Sequence, residues 1–197
     1  MKRFILLATL LILTRYADAR TTYLHTRDLK NEANPLTSFL GLGWTGLIIV
    51  QVVGLIFLIY SLWIYSFKNV DIPTFDKKIS TTKFISLFHF GDTKSFDKLF
   101  YKLPTNKNSL LYAIGFIMTF SLITISILIS TSTTFLILSE KYRNFYSEFK
   151  MPVILYSACF FVILFWTRHF YKNEIIRRLT TRWNGCRSEE RRVGKEC

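Results

Sequence analysis

Long apolar runs separated by charged segments dominate the pattern of this chain. The run at 42–65 is interrupted only by Gln51 and small polar residues, and aromatic side chains stand at both of its ends. At about 1.5 Å per residue such a run spans the ~30 Å hydrocarbon layer of a bilayer, with the aromatic rings at the two interfaces. We therefore predict a transmembrane helix at about 42–65.

Two further runs predict spans at about 110–138 and 152–170. The first contains no charged residue, and it is long enough that tilt or protrusion from the bilayer is expected. The second begins behind Pro152, which favours the first turn of a helix, and it reaches its end only by crossing Arg168 and His169. These runs predict an all-α fold, an integral membrane helical bundle.

The N-terminal segment supports two interpretations. A basic start, an apolar stretch and the small residues Ala17 and Ala19 are the pattern of a cleaved signal peptide. The alternative is a retained helix at about 4–24, a signal anchor, in which Arg15 and Asp18 would each be costly at bilayer depth. The bundle has four spans if this helix is retained and three if it is cleaved.

Basic residues are unevenly distributed between the two sides of these spans. The net charge is +13, and mean hydropathy is +0.27 with 50% hydrophobic residues, values typical of a membrane protein. Lysine is concentrated in loop 67–108 and arginine after the last span, at Lys68, Lys77, Lys78, Lys83, Lys94, Lys98, Lys102, Lys107, Arg168, Lys172, Arg177, Arg178 and Arg182. The opposite side carries only Arg27, Lys30, Lys141, Arg143 and Lys150.

This distribution is the positive-inside pattern. It predicts a single membrane domain at 1–171, a cytoplasmic loop at 67–108 and a basic cytoplasmic tail at 172–186. Both termini are then cytoplasmic if the first helix is retained, and we expect a bacterial plasma (inner) membrane. Topology and lipid account for the charge, so the expected partners are the bilayer and anionic headgroups, with no nucleic acid. Homo- or hetero-association through helix contacts is also compatible with the pattern.

Within the cytoplasmic loop, one segment has the period of an amphipathic helix. Its apolar residues follow i, i+3, i+4, i+7, and its lysines fall on another face at i, i+4, i+8. The apolar set is Phe96, Leu99, Phe100 and Leu103, and the lysines are Lys94, Lys98 and Lys102. We predict a short helix in the headgroup plane with its lysines toward anionic lipid. The alternative is a helix packed against the ends of the spans.

Several polar or small residues have structural interpretations. Gly43, Gly46 and Gly54 are expected to let a neighbouring helix approach closely. The many serines and threonines of the 110–138 run should bond carbonyls of the preceding turn or cross to another helix. His89, on an aromatic-rich stretch, is expected at the membrane interface.

The polar residues with most potential for chemistry surround the loop before the second span. Asp18 and Thr21 share a helix face, and Glu32 and Asn34 stand just before the span. Their oxygens suit magnesium, calcium or proton transfer. Asn34 has the simpler explanation of a helix cap.

This arrangement resembles a bacterial family of small polytopic membrane proteins of unknown function. Its members show an Asp-x-x-Thr helix, a short loop and then Glu-x-Asn-Pro-Leu at the start of the next span. The matching residues here are Asp18, Thr21, Glu32, Asn34, Pro35 and Leu36, within about the first 55 positions. The resemblance implies a retained first helix. This chain departs from the family in its flanking Arg15 and Arg20 and in its lysine-rich loop.

The cysteines and the C-terminal residues complete the picture. Cys159, Cys186 and Cys197 form no pair at metal-ligand spacing, so neither a disulfide framework nor a zinc site is expected, and no cofactor is indicated. Residues 187–197 resemble the in-frame translation of a common sequencing adapter, and we exclude them from fold reasoning. They hold four basic and three acidic residues, so the rest keeps a net charge of +12.

Three classes of function follow. The favoured one is a structural or interaction role in the membrane, with Asp18 paired to Arg15, Arg20 or a hydroxyl. The second is a cation or proton site, with transport, at the outer end of the bundle through Asp18 and Glu32. The third and least supported is a membrane enzyme that uses one of these acids with His25, since no nucleophile with its base is evident.

Overall fold

The computed structural model describes residues 1–27, 41, 43–68, 70, 79–94 and 96–193, with the side chains of 100 and 180–193 excepted. Within these residues the secondary structure is helical. The α-helices are α1 (Lys2–His25), α2 (Trp44–Phe67), α3 (Thr81–Phe90), α4 (Lys107–Leu138), α5 (Glu140–Glu148) and α6 (Met151–Val193). One 3₁₀ helix lies at Phe96–Phe100. The all-α prediction is confirmed for the described part of the chain.

Three of these helices are long and apolar enough to cross a membrane. They are Trp44–Phe67, Lys107–Leu138 and the Met151–Leu179 part of α6. They correspond to the predicted spans at 42–65, 110–138 and 152–170. The N-terminal segment is also helical, from Lys2 to His25, but its charged residues keep it out of this group. The fold is therefore that of a helical protein with three membrane-capable helices and one more polar N-terminal helix.

The chain divides into two compact units. The first comprises Met1–Lys68 and Leu111–Trp166. Here α1 and α2 run antiparallel, as ring contacts at their two ends show: Phe4 meets Phe67, and Tyr23 meets Trp44. An aliphatic core lies between these contacts. It consists of Leu7 and Leu11 of α1, Leu58 and Leu62 of α2, and Ile123 of α4. Burial of these side chains holds α1 against α2 and α4, because each buried leucine contributes about 1.5–3 kcal/mol.

Helix α4 packs closely on α2 at Gly115. A Cβ atom there would overlap the backbone carbonyl of Ser61. The expectation that glycines of the second span serve this purpose is wrong for Gly43 and Gly54, where an added Cβ would meet nothing within 4 Å. The positions of α2 that contact α4 include Ser61 and Tyr65 but neither Gly43 nor Gly54, so the small residue at the contact belongs to α4.

Short connections join α4, α5 and α6. Ser139 ends α4 and caps α5, since the Tyr142 N–H donates to its hydroxyl at 3.2 Å. Lys150 then adopts a positive φ of 47°, and α6 begins at Met151 with Pro152 in its first turn, as predicted. From 151 to 166 no residue of α6 is buried by the rest of the chain.

The second unit comprises Asn69–Leu110 and Thr167–Cys197. Helix α3 is bounded by the Ser80 hydroxyl, which accepts from the Lys83 N–H, and by Gly91 in the left-handed conformation at φ 72°. Its buried aromatic side chains pack on α6, where the rings of Phe88, Phe170 and Tyr171 meet edge to face at 5.0–6.0 Å. Helix α3 is thus anchored to α6 by an aromatic cluster.

The predicted amphipathic helix around 94–103 takes a different form. Only a 3₁₀ helix at Phe96–Phe100 is present, so the α-helical face that would join Phe96 to Leu103 does not form. Pro104 disfavours α conformation at Leu103, so Leu103 is unable to continue a helical face from Phe96. Leu103 is 83% exposed, and Lys94, Lys98 and Lys102 are exposed as well.

Candidate functional site

A buried ion pair on α1 forms the centre of the candidate site. Asp18 is 8% exposed, and its Oδ2 accepts a hydrogen bond from Arg15 Nη1 at 2.8 Å. The two residues are three positions apart, which places them on one helix face. Because a lone carboxylate would be very unfavourable here, the arginine compensates its charge within the same helix.

The same arginine connects α1 to α4. Arg15 Nη1 also donates to Ser126 Oγ at 3.1 Å, and the Ser126 side chain is fully buried. The guanidinium therefore joins a carboxylate on its own helix to a hydroxyl on another. We call Arg15, Asp18 and Ser126 the polar link.

Other hydroxyls of α4 follow the predicted pattern. Thr124 Oγ1 donates to the Phe120 carbonyl at 2.8 Å and accepts from Trp166 Nε1 at 3.2 Å. Thr134 Oγ1 donates to the Ser130 carbonyl at 2.7 Å. The expectation that these side chains bond the preceding turn or a neighbouring helix is confirmed at these positions. It is wrong at Ser121 and Ser130, whose buried hydroxyls have no hydrogen-bond partner among the described residues.

A cavity of about 320 Å³ adjoins the polar link. Its walls come from α1, α2, α4, α5 and α6, and Trp44, Tyr146 and Tyr156 give them an aromatic component. Polar groups project from several sides, namely Thr22, His25, Gln51, Ser132 and Thr133, while Cys159 lies on α6. The volume lies in the range of small-molecule sites, about 300–1,000 Å³.

A second cavity, of about 480 Å³, lies along the exposed side of the α1–α2 pair. Four residues line both spaces: Arg15, Ala19, Trp44 and Gln51. The remaining lining of this outer groove is largely apolar and exposed, with Ile12, Tyr16, Tyr23, Ile48 and Val52. Only the shared wall therefore separates the inner cavity from the groove.

The structure brings together part of the predicted oxygen cluster. Asp18 lies at the site, but the Thr21 hydroxyl donates to the backbone carbonyl of Asp18 at 3.0 Å and so satisfies the helix backbone. Glu32 and Asn34 lie outside the described residues. In the part of the chain that the structure describes, no group of three His, Cys, Asp or Glu residues could hold a metal ion.

Sequence reasoning anticipated Arg15 as one of several partners for Asp18, and it missed Ser126. The 110–138 run holds nine serines and threonines that were equivalent candidates, because the contact depends on how α4 is rotated against α1. The only available signal for the cavity was Gln51, a single amide inside the apolar run of α2. An amide at such a depth is expected to face a neighbour or a cavity.

A separate polar cluster lies in the second unit. His89 is 2% exposed, with its Nε2 2.6 Å from the Tyr171 hydroxyl and its Nδ1 3.5 Å from Ser109 Oγ. Ser109 donates to the Asn106 carbonyl at 2.8 Å, so its oxygen is left to accept from Nδ1–H, and Tyr171 donates to the bare Nε2. Burial lowers the pKa of His89 from 6.5 to about 4.

The structure encloses His89 within the protein, at the contact between α3 and α6. Its helix packs on α6 through an aromatic face, and the imidazole is enclosed with that face. Burial disfavours the charged form of the ring, so the imidazole is neutral and has a structural role.

The chain is thus a helical protein with three apolar helices that are compatible with a membrane location. Its first unit holds the polar link and the cavity. No protein-family model, curated protein or solved structure matches the chain. Its function has to be inferred from the site itself.

Proposed function

We propose that this chain is a four-span integral membrane protein with a structural or interaction role, in which the polar link docks α1 against the other spans. The observation that carries the proposal is the Arg15 hydrogen bond to Ser126, combined with the compensation of Asp18 by the same guanidinium. A paired acid that also joins two helices satisfies its charge without catalysis. The pairing also supports packing over a cation or proton site, because Asp18 already has a cationic partner.

The membrane role also includes the cytoplasmic lysines. In the proposed topology, loop 67–108 and both termini lie on the cytoplasmic side of a bacterial inner membrane. Lys94, Lys98 and Lys102 are exposed and can reach anionic headgroups, each contributing about 1 kcal/mol near the surface. The uncovered apolar face of α6 between 151 and 166 supports contact with lipid or with another membrane helix.

Cysteine labelling tests the four-span topology. Single cysteines replace Lys2, Lys102 or Lys141 in a variant whose native cysteines are serine, and a membrane-impermeant maleimide is applied to intact bacteria and to inverted vesicles. We expect Lys141→Cys to react in intact cells, and the other two to react only in inverted vesicles. Labelling of Lys2→Cys in intact cells would exclude a membrane-crossing α1. Complete loss of that cysteine from the mature protein, seen by mass spectrometry, would indicate cleavage.

A double-mutant cycle tests the role of the ion pair. Asp18→Asn removes the carboxylate charge beside Arg15, and Arg15→Gln removes the cation beside Asp18, so each should cost about 3–5 kcal/mol of unfolding free energy. The double variant Arg15→Gln, Asp18→Asn removes both charges and should recover most of that loss. Recovery is the signature of a packing pair. If the double variant is as unstable as the singles, the carboxylate has another function.

A further inference from the structure

The cavity beside the polar link presents hydrogen-bond donors that the protein leaves unused. Gln51 lines it from α2, and its amide makes no hydrogen bond to any residue that the structure describes. Both hydrogen bonds of Arg15 leave from Nη1, so Nε and Nη2 donate to no described residue. Both side chains are half-buried, with Arg15 22% exposed, so these donors are accessible from the cavity and a ligand that accepts a hydrogen bond could use them.

The opposite wall supplies a further hydroxyl. Thr133 lines the cavity from α4, and its hydroxyl bonds to nothing in the described part of the chain. Donors thus face the space from α1, α2 and α4, and Leu47, Leu136 and Leu155 contribute apolar wall between them. Convergent polar groups in a mainly apolar cavity are the usual composition of a small-molecule site.

The charges at the cavity indicate a neutral ligand. Arg15 and Asp18 form an ion pair at 2.8 Å, so the two charges cancel. The other basic side chain that lines the cavity is His25, which is exposed. An ionic ligand would lose its hydration without a full counter-charge. A neutral molecule with an acceptor oxygen matches both the donors and the absence of net charge.

The outer groove indicates where such a molecule would come from. Arg15, Ala19, Trp44 and Gln51 line both spaces, so a small displacement of these side chains would connect them. The groove is apolar and exposed along α1 and α2, which the proposed function places in the bilayer. Entry would therefore be lateral, from the hydrocarbon layer.

We propose that the cavity binds a compact, neutral, lipid-soluble ring compound with a carbonyl acceptor, which enters from the bilayer between α1 and α2. Its carbonyl accepts from Gln51 or from the unused Arg15 donors, and its ring contacts Trp44 and the tyrosines. The lateral route rests on the proposed function, whereas binding in the cavity requires only the first unit.

The test uses 2-acetylnaphthalene as the probe. The full chain in phosphatidylcholine nanodiscs is dialysed to equilibrium against the probe, and uptake by protein-free nanodiscs is subtracted. We expect saturable binding at one site per chain. Two matched probes should bind at least about tenfold more weakly, a difference of about 1.4 kcal/mol. 2-Ethylnaphthalene lacks the acceptor oxygen, and 2-naphthoate carries a charge. Equal uptake of 2-ethylnaphthalene would overturn the proposal.

Two threonines of α4 give a matched pair of variants. Thr133→Leu fills the cavity and removes a donor, whereas Thr131→Leu makes the same change at an exposed position outside it. We expect the first to abolish saturable binding and the second to retain it. If Thr133→Leu does not fold, Gln51→Leu is the second cavity variant and should weaken binding at least about tenfold. Unchanged binding in the folded cavity variant would contradict the proposal.

The outcomes separate the two proposals. If cysteine labelling excludes a membrane-crossing α1 but binding is saturable and sensitive to Thr133→Leu, the four-span topology fails and the site stands. If the labelling shows four spans and no saturable binding occurs, only the site fails.

Discussion

Arg15 and Ser126 are 111 residues apart in the sequence, and Arg15 Nη1 donates to Ser126 Oγ at 3.1 Å. The same nitrogen bonds Asp18, so a local pair on α1 becomes a contact between α1 and α4. This relationship explains how a helix with charged residues along its length can pack beside apolar spans. The charged groups compensate one another on the inner face, while leucines of α1 provide the apolar contact.

Ser126→Ala removes the acceptor on α4 and tests the strength of this contact. We expect a loss of about 1–2 kcal/mol in unfolding free energy, because the hydrogen bond involves a charged donor. Ser130→Ala, one turn along the same helix, is the control, since the buried Ser130 hydroxyl has no hydrogen-bond partner in the described residues. That change should be neutral or slightly stabilising. Reversible unfolding with SDS in mixed micelles measures both, and equal effects would argue against the link.

Gly115→Ala tests the close approach of α4 to α2. The added Cβ would overlap the Ser61 carbonyl, and backbone cannot move aside as a side chain can. We expect destabilisation of about 1–3 kcal/mol, as in other overpacked contacts. Gly54→Ala is the control, because nothing lies within 4 Å of its added Cβ, and it should be neutral or stabilising by up to about 1 kcal/mol. A stable Gly115→Ala variant would show that the helices are farther apart.

The three apolar spans could be predicted from the sequence because their signal is local. The 42–65, 110–138 and 152–170 predictions differ from the helices at Trp44–Phe67, Lys107–Leu138 and Met151–Leu179 mainly at their ends. Hydrophobic content decides each of them without reference to a neighbour. The 94–103 pattern lost its last apolar position for an equally local reason, since Leu103 was counted without the effect of Pro104.

The candidate site could be predicted only in part. Asp18 was identified because an acid in an apolar stretch needs a partner, and Arg15 was within reach along the helix. The third member, Ser126, and the cavity wall at Thr133 depend on helix rotation, which the sequence of α4 does not specify. His89 illustrates the same limit, because it packs against Tyr171, 82 residues away in the sequence.

Arg177 and Arg178 both bond the same carboxylate oxygen, and we expect very different effects from replacing them. Glu174 is 5% exposed, and both arginines donate to its Oε1 at 2.8 Å. Arg178 also donates to the Val70 carbonyl at 2.9 Å and is mostly buried, whereas the Arg177 side chain is 57% exposed.

Arg178→Met should therefore lose about 2 kcal/mol of unfolding free energy, and Arg177→Met less than about 0.5 kcal/mol. Methionine keeps the apolar stem in both, so the comparison isolates the hydrogen bonds. SDS unfolding at low salt measures the two variants. Similar losses would mean that the bond to Val70 contributes nothing.

The buried His89 gives the second unit a defined dependence on pH. Its folded-state pKa of about 4 lies below the ordinary value of 6.5, because burial removes the water that would stabilise the charged ring. Between these values the unfolded chain binds a proton that the folded chain does not. Stability is therefore full above about pH 6.5 and falls as pH decreases toward about 4, by a total on the order of 3 kcal/mol.

His89→Gln should remove this dependence, because an amide can still bond Tyr171 and Ser109 but does not titrate in this range. We expect the variant to lose some stability at pH 7.5 and to show a smaller decrease between pH 7.5 and pH 5 than the natural protein. His169→Gln is the matched control: His169 is exposed and its Nε2 lies 2.7 Å from Asn173 Nδ2, so the change should leave the pH profile intact. Unfolding curves at the two pH values decide the matter. If His89→Gln retains the full decrease in stability between pH 7.5 and pH 5, another titrating group causes that decrease.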